Sequence, residues 1–389
     1  MVKTKYLFIR RNIEFGGCEH TLLDWIRRID YSKADVTILL RYDLLSPHLD
    51  LDSCPVTIRE IVPDFPFSLE NLKGWFRLLK DISPRTIILM NGGFFDFPLY
   101  IVILAKLMSK GVLVMVENSV AAPPPLKSSK RHFKLIPGLG IWWYREVLPW
   151  RTRAWWANHL FAISRKVKDR LVEWGYPEKK IGILRLGVDL VSFRPSREER
   201  DLMRKTLEFS DEDTLLMCTS RLSPEKGVDR LIRVFNRLSK EFDHLELVIA
   251  GDGPEREKLE ELAGDNESVR FLGEITREEV SSVLKGSDIF ILPSAEEGLG
   301  LALLEGMATG LVCIATKGSG PDDIIKNGEN GFLVSHEEED MTMTLKRVLE
   351  TSPEQLESLR TFAVKTVADN YSLRENVPRI LGELGIPHA

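Results

Sequence analysis

Short apolar runs alternate with longer amphipathic stretches from one end of this 389-residue chain to the other. That alternation limits the possible folds more than any single motif does. Lys5–Arg10, Asp35–Leu40, Val56–Glu60, Thr86–Met90 and Val112–Val116 are rich in Val, Ile and Leu. Thr21–Ile29, Leu69–Leu79 and Phe97–Met108 lie between them with helical spacing. The second half repeats the arrangement at Thr214–Thr219, Leu245–Ala250, Val269–Leu272, Asp288–Leu292 and Val312–Ala315. Strands without polar alternation, separated by helix-length connections, predict parallel sheets covered on both faces. The length exceeds what one hydrophobic core normally organises, so two domains are expected.

Composition narrows the class further. With 43% hydrophobic and 29% charged residues the chain reads as soluble and globular. Its most apolar stretch, Leu99 to Met108, contains Lys106 and is too short to span a bilayer. The start, Met1-Val2-Lys3-Thr4-Lys5 with Arg10 soon after, is too short for a signal peptide. Cys18, Cys54, Cys218 and Cys313 have no paired metal-ligand spacing, and they read as reduced thiols in a cytosolic protein. The net charge of −5 conceals an asymmetry. The first hundred residues are balanced, the second hundred strongly basic and the remainder acidic. Cations so confined imply a negatively charged surface or ligand.

The most informative segment for chemistry runs from Pro293 to Gly310. A strand-forming run ends in Pro293-Ser294. Glu296, Glu297 and Gly298-Leu299-Gly300 follow, and an apolar, helix-favouring stretch then carries Glu305. This is a strand–loop–helix unit with carboxylates and bare glycine backbone at the helix mouth, where first-turn amides and the helix dipole bind phosphate. The eight-residue separation predicts Glu297 at the helix mouth and Glu305 about two turns in, on the same face.

These residues resemble the Glu-x7-Glu motif of retaining, nucleotide-sugar-dependent glycosyltransferases of the GT-B fold, family 4. Thr219-Ser220-Arg221-Leu222-Ser223-Pro224-Glu225-Lys226-Gly227 looks like the family's strand and pyrophosphate loop. Ile249-Ala250-Gly251-Asp252-Gly253-Pro254 and Val269-Arg270-Phe271-Leu272-Gly273 resemble its next two strand ends. Gly318-Ser319-Gly320-Pro321-Asp322-Asp323 and Asn327-Gly328-Glu329-Asn330-Gly331-Phe332-Leu333-Val334 resemble its closing elements. The resemblance is dense over residues 186–335 and reaches the first 120 only through Gly16-Gly17-Cys18-Glu19.

The resemblance implies an α/β GT-B architecture, two Rossmann-like parallel-sheet domains facing across a cleft. Residues 1–186 would form an acceptor-binding domain and 187–370 a nucleotide-sugar-binding domain. Residues 371–389 would form a helix crossing back to the first domain. Glu305 matches the family's ribose-binding acid, and Glu297 the acid that meets the donor sugar. Arg221 and Lys226 would hold the pyrophosphate, taking the place of a metal. Backbone at Gly298, Leu299, Gly300 and Leu301 would add amide donors, Gly16 and Gly17 would approach the reacting phosphate, and Phe271 to Gly273 would read the base. Glu297, Arg221 and Lys226 are therefore the catalytic candidates. No metal and no cofactor beyond the nucleotide-sugar co-substrate is expected. The implied chemistry is front-face displacement, the protein supplying positioning and leaving-group stabilisation.

Two features are this chain's own. Many relatives place a histidine after the fifth strand of the first domain, where this sequence has Val116-Glu117-Asn118-Ser119; Glu117 and Asn118 are equal candidates to replace it. Six of eight tryptophans fall between 142 and 174, interleaved with basic residues. Lys127, Lys130, Arg131, Lys134, Trp142, Trp143, Arg145, Trp150, Arg151 and Arg153 suit an anionic membrane interface that receives a lipid-linked acceptor. The same residues also suit a buried aromatic cluster beneath a basic helix. Single-stranded RNA would use such residue types too, but no RNA module is present, so no nucleic-acid partner is expected. The expectation is a metal-independent hexosyl- or N-acetylhexosaminyl-transferase, peripheral on the cytoplasmic face of the membrane. It would use a UDP-sugar and a glycan or lipid-linked glycan acceptor. The rival readings are a silent GT-B scaffold subunit and a nucleotide-sugar hydrolase or epimerase.

Overall fold

The computed structural model describes residues 2–10, 17–40, 54–60, 69–91, 99–108, 112–117 and 156–388. The chain divides into two compact units: Met1–Arg185 with Val377–Ala389, and Leu186–Asn376.

The first unit is built on a parallel sheet. Its strands are β1 (Thr4–Ile9), β2 (Ala34–Leu40), β3 (Thr57–Glu60), β4 (Thr86–Asn91), β5 (Val112–Glu117), β6 (His159–Ala162) and β7 (Ile181–Ile183), in the order β3-β2-β1-β4-β5-β6-β7. Leu7, Phe8 and Ile9 of β1 and Ile87 to Met90 of β4 are fully buried, as expected of strands covered on both faces. The amphipathic helix Leu69–Ile82 puts Trp75, Leu79 and Ile82 inward and leaves Lys73, Arg77 and Lys80 exposed. The last residues complete this unit. The Tyr6 hydroxyl donates to the Gly385 carbonyl at 2.7 Å, and the Asp30 N–H to the Pro387 carbonyl at 2.9 Å. Burial raises the Tyr6 phenol above its usual range, so it stays a donor.

The second unit repeats the plan with β8 (Thr214–Thr219), β9 (Leu245–Ala250), β10 (Val269–Gly273), β11 (Ile289–Leu292), β12 (Val312–Thr316) and β13 (Phe332–Val334), all parallel, in the order β10-β9-β8-β11-β12-β13. The helix Val228–Leu238 buries Val228, Leu231, Ile232, Val234, Phe235 and Leu238 against it, each worth about 1.5–3 kcal/mol of apolar transfer. In this order the chain moves outward from β8 through β9 to β10, then returns to β11 on the other side. The reversal opens a crevice at the carboxyl ends of β8 and β11, where doubly wound sheets take their ligands.

The amino end of the same strands is closed by charge. Arg204, 2% exposed, donates to the carbonyls of Gly286 (3.0 Å), Ser210 (2.6 Å) and Asp213, and to Asp288 Oδ2 at 3.3 Å. Asp288 also accepts from the Leu215 N–H at 2.9 Å and from Arg200 at 2.8 Å. Every nitrogen of the Arg204 guanidinium meets a fixed acceptor, so the cluster ties the start of β11 to the approach to β8.

The helix after β11 begins where the sequence pattern places it, directly after Gly300. It runs Leu301–Ala308, so Glu297 lies in the loop four residues before it and Glu305 in its second turn. Gly298 and Gly300, the latter left-handed at φ 93°, hold the chain out of the helix until Leu301. Helical periodicity therefore does not relate the two acids.

Candidate active site

Two loops meet at the second sheet's switch point, Ser220–Gly227 after β8 and Pro293–Gly300 after β11. Backbone contacts set their spacing. The Ala295 N–H donates to the Glu225 carbonyl at 2.8 Å. Arg230, buried on the helix Val228–Leu238, donates to the Pro293 carbonyl and the Thr316 hydroxyl, both at 2.7 Å. Gly227 is left-handed at φ 65°, and a Cβ there would lie 2.5 Å from the Pro293 oxygen, so no larger residue allows this approach.

This framework brings Lys226 and Glu297 together. Lys226 Nζ lies 2.7 Å from Glu297 Oε1, with side chains 23% and 16% exposed. Partial withdrawal from water strengthens the pair's attraction above that of a surface pair. Arg221 stands exposed on the first loop, five residues before Lys226. Its charge is among those that, against the opposing push of burial, hold Glu225 below the usual carboxylate range; the Ser223 hydroxyl contributes more.

A third loop closes on the second. The Gly320 N–H donates to the Glu297 carbonyl at 2.9 Å, and a Cβ on Gly320 would lie 2.5 Å from Leu299 Cα. Beside these contacts sit two buried hydroxyls, Ser294 and Ser319, each 1% exposed and neither with a hydrogen-bond partner. Such groups carry a desolvation cost of about 1–3 kcal/mol until something satisfies them. Burial pushes the Cys218 thiol up to about 12, with Lys226 and Glu297 acting in opposite directions, so this thiol is no nucleophile.

Glu305 has a different cation. Arg277, the first residue of the helix Arg277–Gly286, places a guanidinium nitrogen 3.3 Å from Glu305 Oε1. The same guanidinium lies 5.4 Å from the Phe193 ring centroid. Asp189 is held below its usual range: burial opposes this, but hydrogen bonds from Val191 and Ser192 and the Arg277 charge outweigh it.

The structure places Arg221 and Lys226 on the loop after β8, Glu297, Gly298, Leu299 and Gly300 on the loop after β11, and Leu301 and Glu305 on the helix that follows. Phe271 and Gly273 end β10, two strands from β8 at the sheet's edge. In the first unit, Gly17 opens the helix Gly17–Ile26 and Glu117 ends β5. Gly16, Asn118, Lys127, Lys130, Arg131, Lys134, Trp142, Trp143, Arg145, Trp150, Arg151 and Arg153 lie outside the described residues. Sequence reasoning missed Arg277 and Arg230. A cation at a helix start opposes the helix dipole, and an Arg amid Val228, Leu231 and Ile232 opposes burial; both departures were visible signals.

A cation–acid pair in the loops before a helix mouth, at the switch point of a parallel sheet, is suited to an anionic ligand. Residues 199–366 match the family model of glycosyl transferases group 1. The chain is 28% identical over 287 residues to an uncharacterized glycosyltransferase of Methanocaldococcus jannaschii, covering 71% of this chain and 69% of that protein. It is also 28% identical over 228 residues to a GDP-mannose-dependent alpha-(1-6)-phosphatidylinositol monomannoside mannosyltransferase of Mycolicibacterium smegmatis, covering 56% of this chain and 59% of that one. Among solved structures, HepE of Anabaena in complex with UDP and glucose superposes with a TM-score of 0.76 at 18% identity, over 98% of this chain and 99% of that chain. The architecture is that of GT-B glycosyltransferases, with two parallel-sheet α/β domains. Among the described residues, no helix is long and apolar enough to cross a membrane.

Proposed function

We propose that the protein is a retaining glycosyltransferase that moves a hexose or N-acetylhexosamine from a nucleoside diphosphate sugar to a glycan or lipid-linked glycan. The observation that carries this reading is the Lys226–Glu297 pair at 2.7 Å at the carboxyl ends of β8 and β11, within the segment that matches the family. Arg221 and Lys226 neutralise the pyrophosphate, and the first-turn amides after Gly300 add neutral donors. Glu305 accepts from the ribose hydroxyls, and Glu297 from the sugar. The bond from the anomeric carbon to the phosphate oxygen breaks while the acceptor hydroxyl attacks from the same face. Its proton passes to the leaving phosphate. Fixed cations stabilise the charge that develops on the diphosphate, the role a metal plays elsewhere.

A UDP-sugar is the first donor to try, in keeping with the ligand of the HepE complex. The mycobacterial relative's GDP-mannose favours a guanine donor instead. A thermal-shift panel of UDP, GDP, ADP and their common sugars, without metal, decides between them. One base is expected to stabilise the wild type, by an amount set by ligand concentration over affinity, and Glu305→Ala to abolish that shift. No shift with any nucleotide would favour a scaffold subunit.

The acceptor reading extends to the membrane. Both the inositol-lipid acceptor named for the mycobacterial enzyme and the basic, tryptophan-rich composition of residues 123–156 support docking on an anionic, cytoplasmic leaflet. Flotation with anionic vesicles at low salt, and release at high salt, is the expected result. Failure to float at low salt would remove this part of the reading.

A further inference from the structure

We propose that Arg277 is the positioning residue that sets Glu305 to recognise a ribose diol, and that it thereby makes the site selective for ribonucleotide over deoxyribonucleotide donors. The inference rests on the donor-site reading above and deepens it. Three segments converge on this one guanidinium: the stretch Asp189–Phe193, the start of the helix Arg277–Gly286, and Glu305 on the helix Leu301–Ala308. The side chains of Arg277 and Glu305 are only 21% and 13% exposed. The helix is already well started without Arg277. Thr276 and Glu279 form a complete capping box. A cation as the next residue adds nothing to that cap and opposes the dipole. Its position is explained by what its far end holds.

A vicinal diol offers two O–H donors a fixed distance apart. A carboxylate accepts both only if it is ionised and its plane is held. The planar guanidinium can supply both conditions, by its permanent charge and its rigid fork, and Phe193 beneath it limits its rotation. The Ser281 hydroxyl donates to the Ser192 carbonyl at 2.7 Å, tying the Phe193 stretch to the same helix, so platform and Arg277 are positioned together. Lysine would keep the charge and lose the fork.

The test compares the nucleoside diphosphate that stabilises the wild type with its 2′,3′-dideoxy analogue, by calorimetric titration of wild type, Arg277→Gln, Arg277→Lys and Glu305→Gln. The wild type should favour the ribonucleotide by about tenfold or more, the size expected when a buried acceptor loses its donors. Arg277→Gln should bring that ratio close to that of Glu305→Gln, and Arg277→Lys should fall between. Adding Arg277→Gln to Glu305→Gln should change the ratio no further. If Arg277→Gln weakens both nucleotides equally and keeps the ratio, the residue only supports the fold and the inference falls alone. If the wild type itself does not discriminate, the ribose role of Glu305 falls and the inference falls with it. Melting temperatures of the free variants identify any that fail to fold, and the Lys variant then carries the test.

Discussion

The two ends of the second sheet use the same residue types to opposite effect. At the amino end, Arg204 and Asp288 form a cluster in which backbone carbonyls and amides occupy the remaining bonding directions. At the carboxyl end, Lys226–Glu297 and Arg277–Glu305 are partly exposed, and Ser294 and Ser319 keep hydroxyls with no partner. A charge fully met by its own backbone is a fastener. A charge held in place beside hydroxyls that bond to nothing else in the protein keeps bonding capacity in reserve. Burial alone does not separate these cases; the completeness of the hydrogen bonding does.

That contrast can be broken from either side. The largest effect should come from Arg204→Ala, which leaves the Ser210 and Asp213 carbonyls without their guanidinium donor and Asp288 with one cation instead of two. Urea unfolding should show a loss of about 3–5 kcal/mol. A loss below 1 kcal/mol would mean the amino-end cluster fastens nothing. Next comes Lys226→Met, which removes a leaving-group cation. Transfer should fall about 10²–10³-fold in kcat, with little change in unfolding midpoint. A large fall in stability instead would make Lys226 another fastener and erase the distinction. The smallest effect belongs to Ser319→Ala. Removing an orphaned hydroxyl should leave the free protein equally stable or more stable by up to about 1 kcal/mol. A clear destabilisation would show that the hydroxyl is already satisfied in the free protein.

Much of this was readable in the chain. Ten apolar runs marked ten of the thirteen described strands, most of them buried on both faces and so rich in Val, Ile and Leu. The three others, His159–Ala162, Ile181–Ile183 and Phe332–Val334, are three or four residues long and carry too little pattern to stand out from loops. In the site, the Glu297–Gly300 loop and Lys226 were legible because glycines and charges fell at a family's spacing. The start of the next helix was legible as well, because the left-handed Gly300 ends the loop just before Leu301. Arg277 was illegible as Glu305's partner because they are 28 positions apart on separate helices.

The first unit is discontinuous, with its closing piece Val377–Ala389 following the whole of the second in sequence. On a ribosome this imposes an order. Leu186–Asn376 is one uninterrupted stretch and can collapse as soon as it emerges. The unit begun earlier must wait for residues 377–389, with the partners that Gly385 and Pro387 supply to Tyr6 and Asp30 still missing. The unit that precedes in sequence is thus completed after the one that follows it, so nascent chains stalled before residue 377 should be the forms that chaperones hold longest.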